Sequence, residues 1–261
     1  MTSRGSEGRT KRLVRSLVPA LLLDVARAAR LRRSVPHGAA LPTDPMVEFR
    51  IPPRTLEEAF PGISSVRVVL DAAELDRGDE WLMPLPELLT IAAICQHVRP
   101  TRVLEFGTYL GSATAAISDN TPPHAEIFTL DLDPAARATH RHGLGVGGFP
   151  EFEVGARFRG RPAAAKIRQL YGDSLTFDFA RFAGSVDLVL IDGDHTYEFV
   201  KADTANAFAV LRPGGVIVWD DYRWSPRHPE CAGVTRAVNE LLPGRDCFAL
   251  AGTRLAAVRS G

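Results

Sequence analysis

Cysteine is scarce in this chain of 261 residues: there are three, Cys95, Cys231 and Cys247, an odd number with no metal-binding spacing. That argues against a disulfide framework or a zinc ribbon and favours a reducing, cytoplasmic compartment. Long apolar runs are lacking as well. The stretch Leu17–Leu23 is interrupted by Pro19 and closed by Asp24, well short of the ~20 residues that span a bilayer. Lysine occurs only at 11, 166 and 201, which carries no mechanistic implication. The formal net charge is zero, but residues 1–33 hold nine Lys/Arg against Glu7 and Asp24. The remainder is therefore acidic, which argues against nucleic acid as a partner. No internal repeat is present.

What the chain does have is 45% hydrophobic residues, enough for a sizeable core, and one stretch that organises the rest. Arg102–Ile117 reads as a short apolar strand ending on Glu105, a turn with Gly107 and Gly111, and an Ala-rich helix. Strand, tight turn and helix N-terminus is the place where open α/β sheets bind nucleotide-like ligands. The spacing is E-x-G-x-x-x-G, not the G-x-G-x-x-G that brings backbone against a pyrophosphate. A carboxylate there suits a cationic, phosphate-free nucleoside such as S-adenosylmethionine. An ordinary strand–helix turn is the plain alternative.

Around this stretch, Leu13, Leu17, Leu21 and Val25 recur at helical spacing in a basic segment. This predicts an amphipathic helix that packs on its own body or on another subunit, or lies on a membrane. A charge within its apolar part argues against a signal peptide. Six prolines between 34 and 63 mark a connector, with a capping box at Thr55–Glu58 and a short strand expected over Ser65–Leu70. These divide the chain into an N-terminal extension, 1–80, and a ligand-binding domain, 81–261. A helix over Glu87–His97 leads into the central strand. From Val103 onward strands and helices alternate, predicting a mostly parallel sheet with right-handed crossovers. Its further strands are expected at Ile127–Leu130, Ile167–Tyr171, Val186–Ile191 and Val216–Trp219, with a helix from Tyr197 to Leu211. A helix near Val234–Leu242 and strands at Cys247–Leu250 and Arg254–Val258 complete it.

Each of the first five strands ends on a carboxylate: Glu105, Asp131, Asp173, Asp192 and Asp220. In a parallel sheet these ends share the edge where ligands bind, and so many acids on one edge repel unless something occupies the space between them. Glu105, Asp131 and Asp173 flank the glycine turn and belong with the nucleoside. Asp131 is placed to accept ribose hydroxyls, and Asp173, with Ser174 beside it, an adenine amino group; a turn role for Asp173 is an equal reading. Thr108, Tyr109, Gly111 and Ser112 complete the candidate donor set. Asp192, Asp220 and Asp221 form a second group, suited to a hard ion such as Mg²⁺. Such an ion could lower the pKa of a substrate hydroxyl, with His195 as the base that takes its proton. The plain reading of His195 is a helix-start residue bonded to a carboxylate. Asp133 and Asp194 read as solvated or capping residues, and Tyr197, Trp219 and Trp224 as candidate walls, although Trp219 also fits the core.

Together, Val103–Gly111, Thr129–Pro134, the Asp192 turn and Asp220-Asp221 resemble class I S-adenosylmethionine-dependent methyltransferases, and within them the cation-dependent catechol and caffeoyl-CoA type O-methyltransferases and their bacterial relatives. The resemblance implies a Rossmann-like, doubly wound, seven-stranded sheet with a reversed last strand. It implies donor contacts at Glu105, Gly107, Tyr109, Asp131 and Asp173, and a divalent ion at Asp192, Asp220 and Asp221. Two departures stand out: Asp221 replaces the usual Asn ligand, and His195 stands where a Lys base is common. The resulting expectation is methyl transfer to a hydroxyl on a small molecule (a sugar, a phenol or a natural-product intermediate), by an enzyme that could be a homo-oligomer. The rivals are a metal-free enzyme using Asp192 and His195, and a non-catalytic nucleoside-binding scaffold.

Overall fold

The computed structural model describes residues 50–75, 81–137, 152–223, 231–241 and 244–260. The amphipathic helix expected in the first 33 residues, and Trp224, lie outside them. In chain order the elements are β1 (Pro53–Arg54), α1 (Leu56–Ala59), α2 (Leu85–Val98), β2 (Arg102–Phe106), α3 (Ser112–Asp119), β3 (Glu126–Asp131), α4 (Pro134–Arg137) and β4 (Ile167–Tyr171). Then come β5 (Val186–Ile191), α5 (Tyr197–Val210), β6 (Leu211–Trp219), α6 (Ala232–Leu241), β7 (Cys247–Leu250) and β8 (Ala256–Arg259). Among the described residues no helix is long and apolar enough to cross a membrane.

The strands form one sheet in the order β1-β7-β8-β6-β5-β2-β3-β4. β8 runs antiparallel to both of its neighbours, and the other pairings are parallel. The architecture is therefore the expected Rossmann-like one with a reversed last strand. The eighth strand is β1, from the segment read as a connector. Prolines conceal it, because its outer position requires only acceptors: Ala249 donates its N–H to Pro52 O and Ala251 donates to Arg54 O.

Central strands bury both faces, so they read as continuous apolar runs. All six residues of β5 are buried, and Leu104 on β2 and Ile217 on β6 are fully enclosed beside it. α2 begins with Pro86 in its first turn and ends at Arg99 in the left-handed region, which returns the chain to β2. The capping box at Thr55–Glu58 is present, with both reciprocal bonds.

Two sequence expectations fail for local reasons. Ser65–Leu70 is not a strand: a 3₁₀ turn occupies Ile63–Ser65, and the Asn120 side chain takes the place of a neighbouring strand. Its Oδ1 accepts from Val69 N at 2.8 Å and its Nδ2 donates to Val69 O at 2.7 Å. The last strand starts at Ala256, not Arg254, because residues 251–254 form a turn. That displacement leaves Arg254 at the sheet's ligand-binding edge.

Asn120 also donates to Ala116 O and accepts from Gln96. Truncation to alanine would leave several partly buried groups without partners at once, each costing up to ~1–3 kcal/mol. Asn120→Ala is therefore expected to lower the unfolding free energy by ~2–4 kcal/mol, measurable by urea titration.

Candidate functional site

The sheet reverses its winding between β2 and β5, and ligands of such sheets bind in the crevice beyond the strand ends at that point. The strand ends are in register there: Phe106 pairs with Leu130 and Ile191, and Ile191 with Trp219. Asp131, Gly107, Asp192 and Asp220 consequently align along one rim. Gly107 has φ 89°, and a Cβ on it would lie 2.0 Å from Asp192 O. Only glycine permits the two loops to touch, so the glycine turn and the acid cluster are built against each other.

Asp131 holds the glycine turn. Its Oδ2 accepts from Thr108 N at 3.1 Å and Tyr109 N at 2.8 Å, and its Oδ1 from Leu132 N at 2.7 Å. Tyr109 sits at φ 49°, with its ring edge-on to Phe152 at 4.4 Å. Thr108 is turned onto the sheet, its hydroxyl 2.6 Å from that of Thr129 and accepting from Gln169. Gly111, at φ 86°, caps α3. In the first turn of that helix, the buried Ser112 hydroxyl has no hydrogen-bond partner.

Glu105 does not reach the rim. It lies within β2 opposite Thr129, fully buried, and its Oε2 accepts from both Thr114 and Thr129 while Oε1 has no partner. Burial raises its pKa to about 7 against these hydroxyl donors. Asp173 makes a turn, accepting from Leu175 N at 2.9 Å, in line with the plainer of its two readings. Beside it, Ser174 bonds Asp203, a buried acid on α5 that the sequence did not single out and that burial raises to about 7.

At the ends of β5 and β6, Asp192, Asp220 and Asp221 present carboxylate oxygens within 4.8 Å of one another. Burial, then Asp220 and Asp221, raise Asp192 well above the usual carboxylate range. Burial and Asp221 push Asp220 to about 7. Burial would raise Asp221 too, but His195, Arg254 and Arg223 hold it low. Its backbone is left-handed, φ 57°, which turns the side chain back toward the loop carrying His195. His195 Nε2 lies 3.4 Å from Asp221 Oδ2, so imidazole and carboxylate meet.

Arg254, absent from the sequence reading, is central here. Its Nη2 donates to Asp220 Oδ2 at 3.0 Å, Nη1 pairs with Asp221 Oδ1 at 2.9 Å, and Nε lies 3.3 Å from Glu87 on α2. Gly233 on α6 was also missed: a Cβ there would lie 2.2 Å from His195 O, so α6 braces the His195 loop. Neither belongs to a motif. Of the candidate walls, Trp219 is core, donating to Thr204 at 2.9 Å, and Tyr197 faces outward to Glu240 at 2.6 Å. Asp133 and Asp194 cap turns, accepting from Ala135 N and Thr196 N.

Residues 104–222 match a family model described as a methyltransferase domain. Over those residues the chain is similar to that domain. A curated relative, uncharacterized protein R132 of Acanthamoeba polyphaga mimivirus, is 27% identical over 143 residues, 53% of this chain and 58% of that protein. This chain thus spans little more than half the relative's length. Among solved structures, the fold resembles the SAH-bound Podospora anserina methyltransferase PaMTH1 at 16% identity, TM-score 0.55, covering 76% of this chain and 91% of that one. It also resembles the O-methyltransferase TomG of Streptomyces achromogenes in complex with SAM, at 17% identity, TM-score 0.50, covering 78% and 96%. These likenesses establish the shared fold of the methyltransferase domain.

The Glu105 environment has a thermodynamic consequence. A carboxyl raised from 4.5 to about 7 contributes stability that is fully present below pH 4.5 and lost as pH rises through 7. The difference corresponds to ~3 kcal/mol. Glu105→Gln is expected to be relatively more stable at pH 8 than at pH 5 when compared with the wild type. Unfolding free energies at both pH values check this, and parallel pH profiles would contradict it.

Proposed function

We propose that this methyltransferase domain uses S-adenosylmethionine to methylate a hydroxyl on a small molecule, assisted by a divalent cation, with His195 as general base. The observation that carries the reading is the convergence of Asp192, Asp220 and Asp221 within 4.8 Å beside His195, on the rim that also holds the glycine turn. The printed descriptions of PaMTH1 and TomG as SAH- and SAM-bound support the choice of donor. The orphaned Ser112 hydroxyl fits a polar group of such a donor. Asp131 would accept ribose hydroxyls alongside the amides it already holds. Asp173, with Ser174, lies one strand further along the same rim, where an adenine would reach.

The acid cluster fits a cation. Asp220 Oδ1 is buried without a hydrogen-bond partner, the donors are all oxygen, and burial, then like-charge repulsion, raises two of the three acids. These features suit a hard ion such as Mg²⁺. Bound there, the ion supplies Lewis acidity that lowers the pKa of a substrate hydroxyl. With Nε2 turned to Asp221, the imidazole has Nδ1 left to accept the hydroxyl proton. Asp221 then faces the charge that forms, and it fixes the tautomer beforehand. The rest of the domain's contribution is alignment of the hydroxyl with the methyl group.

One observation favours a metal-free variant of the same reaction. Arg254 already counters Asp220 and Asp221, so the cluster holds a cation of its own, leaving Asp192 and His195 to handle the proton. The two readings separate in one assay, with methyl-labelled donor offered to a panel of sugars, phenols and other hydroxyl compounds. The metal-assisted reading expects turnover lost on EDTA treatment and restored by Mg²⁺; turnover that survives chelation selects the metal-free one. His195→Ala is expected to lower kcat ~10²–10⁴-fold with donor affinity unchanged, as measured by calorimetry. Undiminished turnover would remove His195 from the base role.

A further inference from the structure

A second set of metal-type donors overlaps the first. His195, Asp221 and Cys231 offer ligand atoms that all lie within 4.8 Å of one another. Cys231 is 1% exposed, directly before α6, and its thiol bonds the Asp221 carboxylate. The same carboxylate faces His195 Nε2 through Oδ2 at 3.4 Å. His195 and Asp221 keep 16% and 10% of their side-chain surface exposed, which gives an ion a way in. Two parts of the chain far apart in sequence make this group, and the contact of Gly233 with the His195 loop sets its spacing.

We propose that His195, Asp221 and Cys231 form a site for a thiophilic divalent ion of the Zn²⁺ class, competing with the hard-ion site for Asp221. The donor chemistry separates the two. Nitrogen, oxygen and sulfur donors in a tetrahedral arrangement suit zinc, whereas Mg²⁺ takes an octahedral shell of oxygens. Ligand atoms in a tetrahedral zinc site are about 3.5 Å apart; His195 and Asp221, at 3.4 Å, already have that spacing, and the 4.8 Å limit on the group leaves the thiol no more than about an ångström to move in. Coordination releases the Cys231 proton to solvent and leaves a thiolate–metal bond, with the fourth position open to water. An imidazole bound to the ion no longer has a lone pair for a substrate proton. The site's existence is independent of the reading above, but its inhibitory consequence rests on it: a hard ion leaves His195 free to act, and a soft one removes it from the reaction.

Cobalt is the probe, added as Co²⁺ to the full chain under reducing conditions without methyl donor. The expected result is one equivalent bound, a thiolate-to-cobalt charge-transfer band in the near ultraviolet, and bleaching of that band by stoichiometric Zn²⁺. Cys231→Ser should abolish the band and His195→Ala should weaken cobalt binding at least tenfold. Asp192→Asn and the double variant Cys95→Ser/Cys247→Ser should retain the band. Absence of the band in the wild type, or its persistence in Cys231→Ser, overturns the proposal. In turnover assays, Zn²⁺ should inhibit the wild type, and Cys231→Ser should require at least tenfold more Zn²⁺ for the same inhibition. Equal sensitivity of the two proteins would refute the inhibitory role. A cobalt band without turnover on any hydroxyl compound would instead count against the methyl-transfer reading alone.

Discussion

The structure of this site depends on how the protein keeps three carboxylates together at the buried end of two adjacent strands. Asp192, Asp220 and Asp221 repel one another where burial leaves little water to screen them, and burial together with this repulsion raises Asp192 and Asp220. Arg254 is the counterweight. Two of its nitrogens reach Asp220 and Asp221, while Glu87 offsets the arginine's own charge from behind. Removing one member of such a network leaves the others buried and uncompensated, which costs more than the intact set contributes.

The reversed last strand makes this possible. Because β8 runs against its neighbours, it begins where β6 ends, with Ala256 opposite Trp219. The turn before β8 therefore opens onto the ligand edge, and Arg254 arrives beside the acid that follows Trp219. A parallel β8 would have carried that turn to the opposite rim. Sheet topology and site electrostatics are in this sense one feature, and the same rim serves both halves of the site. Gly107 allows the donor turn to touch the Asp192 loop, while Asp131 ties down the donor turn from its other side. A shift in either loop is felt in the other.

Much of this was readable in the residues. The alternation of strands and helices, the glycine turn, and the placement of acids at successive strand ends follow from local pattern: apolar runs end where the chain leaves the sheet, and parallel strands end on the same side. Glu105 shows where that logic stops. It closes the apolar run by composition, yet the strand continues to Phe106, and the carboxyl lies buried against two threonines, below the rim. Trp219 and Tyr197 were ambiguous for a similar reason, since an aromatic near a strand end fits a pocket wall, the core or the surface until its neighbours are known. Ser65–Leu70 resembled a strand because β-branched residues favour one, but the partner it found was a single asparagine.

By itself the sequence determined the fold class and the sheet edge along which most of the acids lie, because periodicity and turn chemistry are local and the direction of a parallel strand settles which end it presents. Only the tertiary structure decided which of those acids face one another, that Arg254 counters two of them while Glu87 anchors the arginine, and that Cys231 stands beside His195 and Asp221. These residues come from separate elements with no shared spacing. Their proximity results from strand order, the reversal of β8 and the close approach of α6, none of which leaves a mark in any short stretch of the chain.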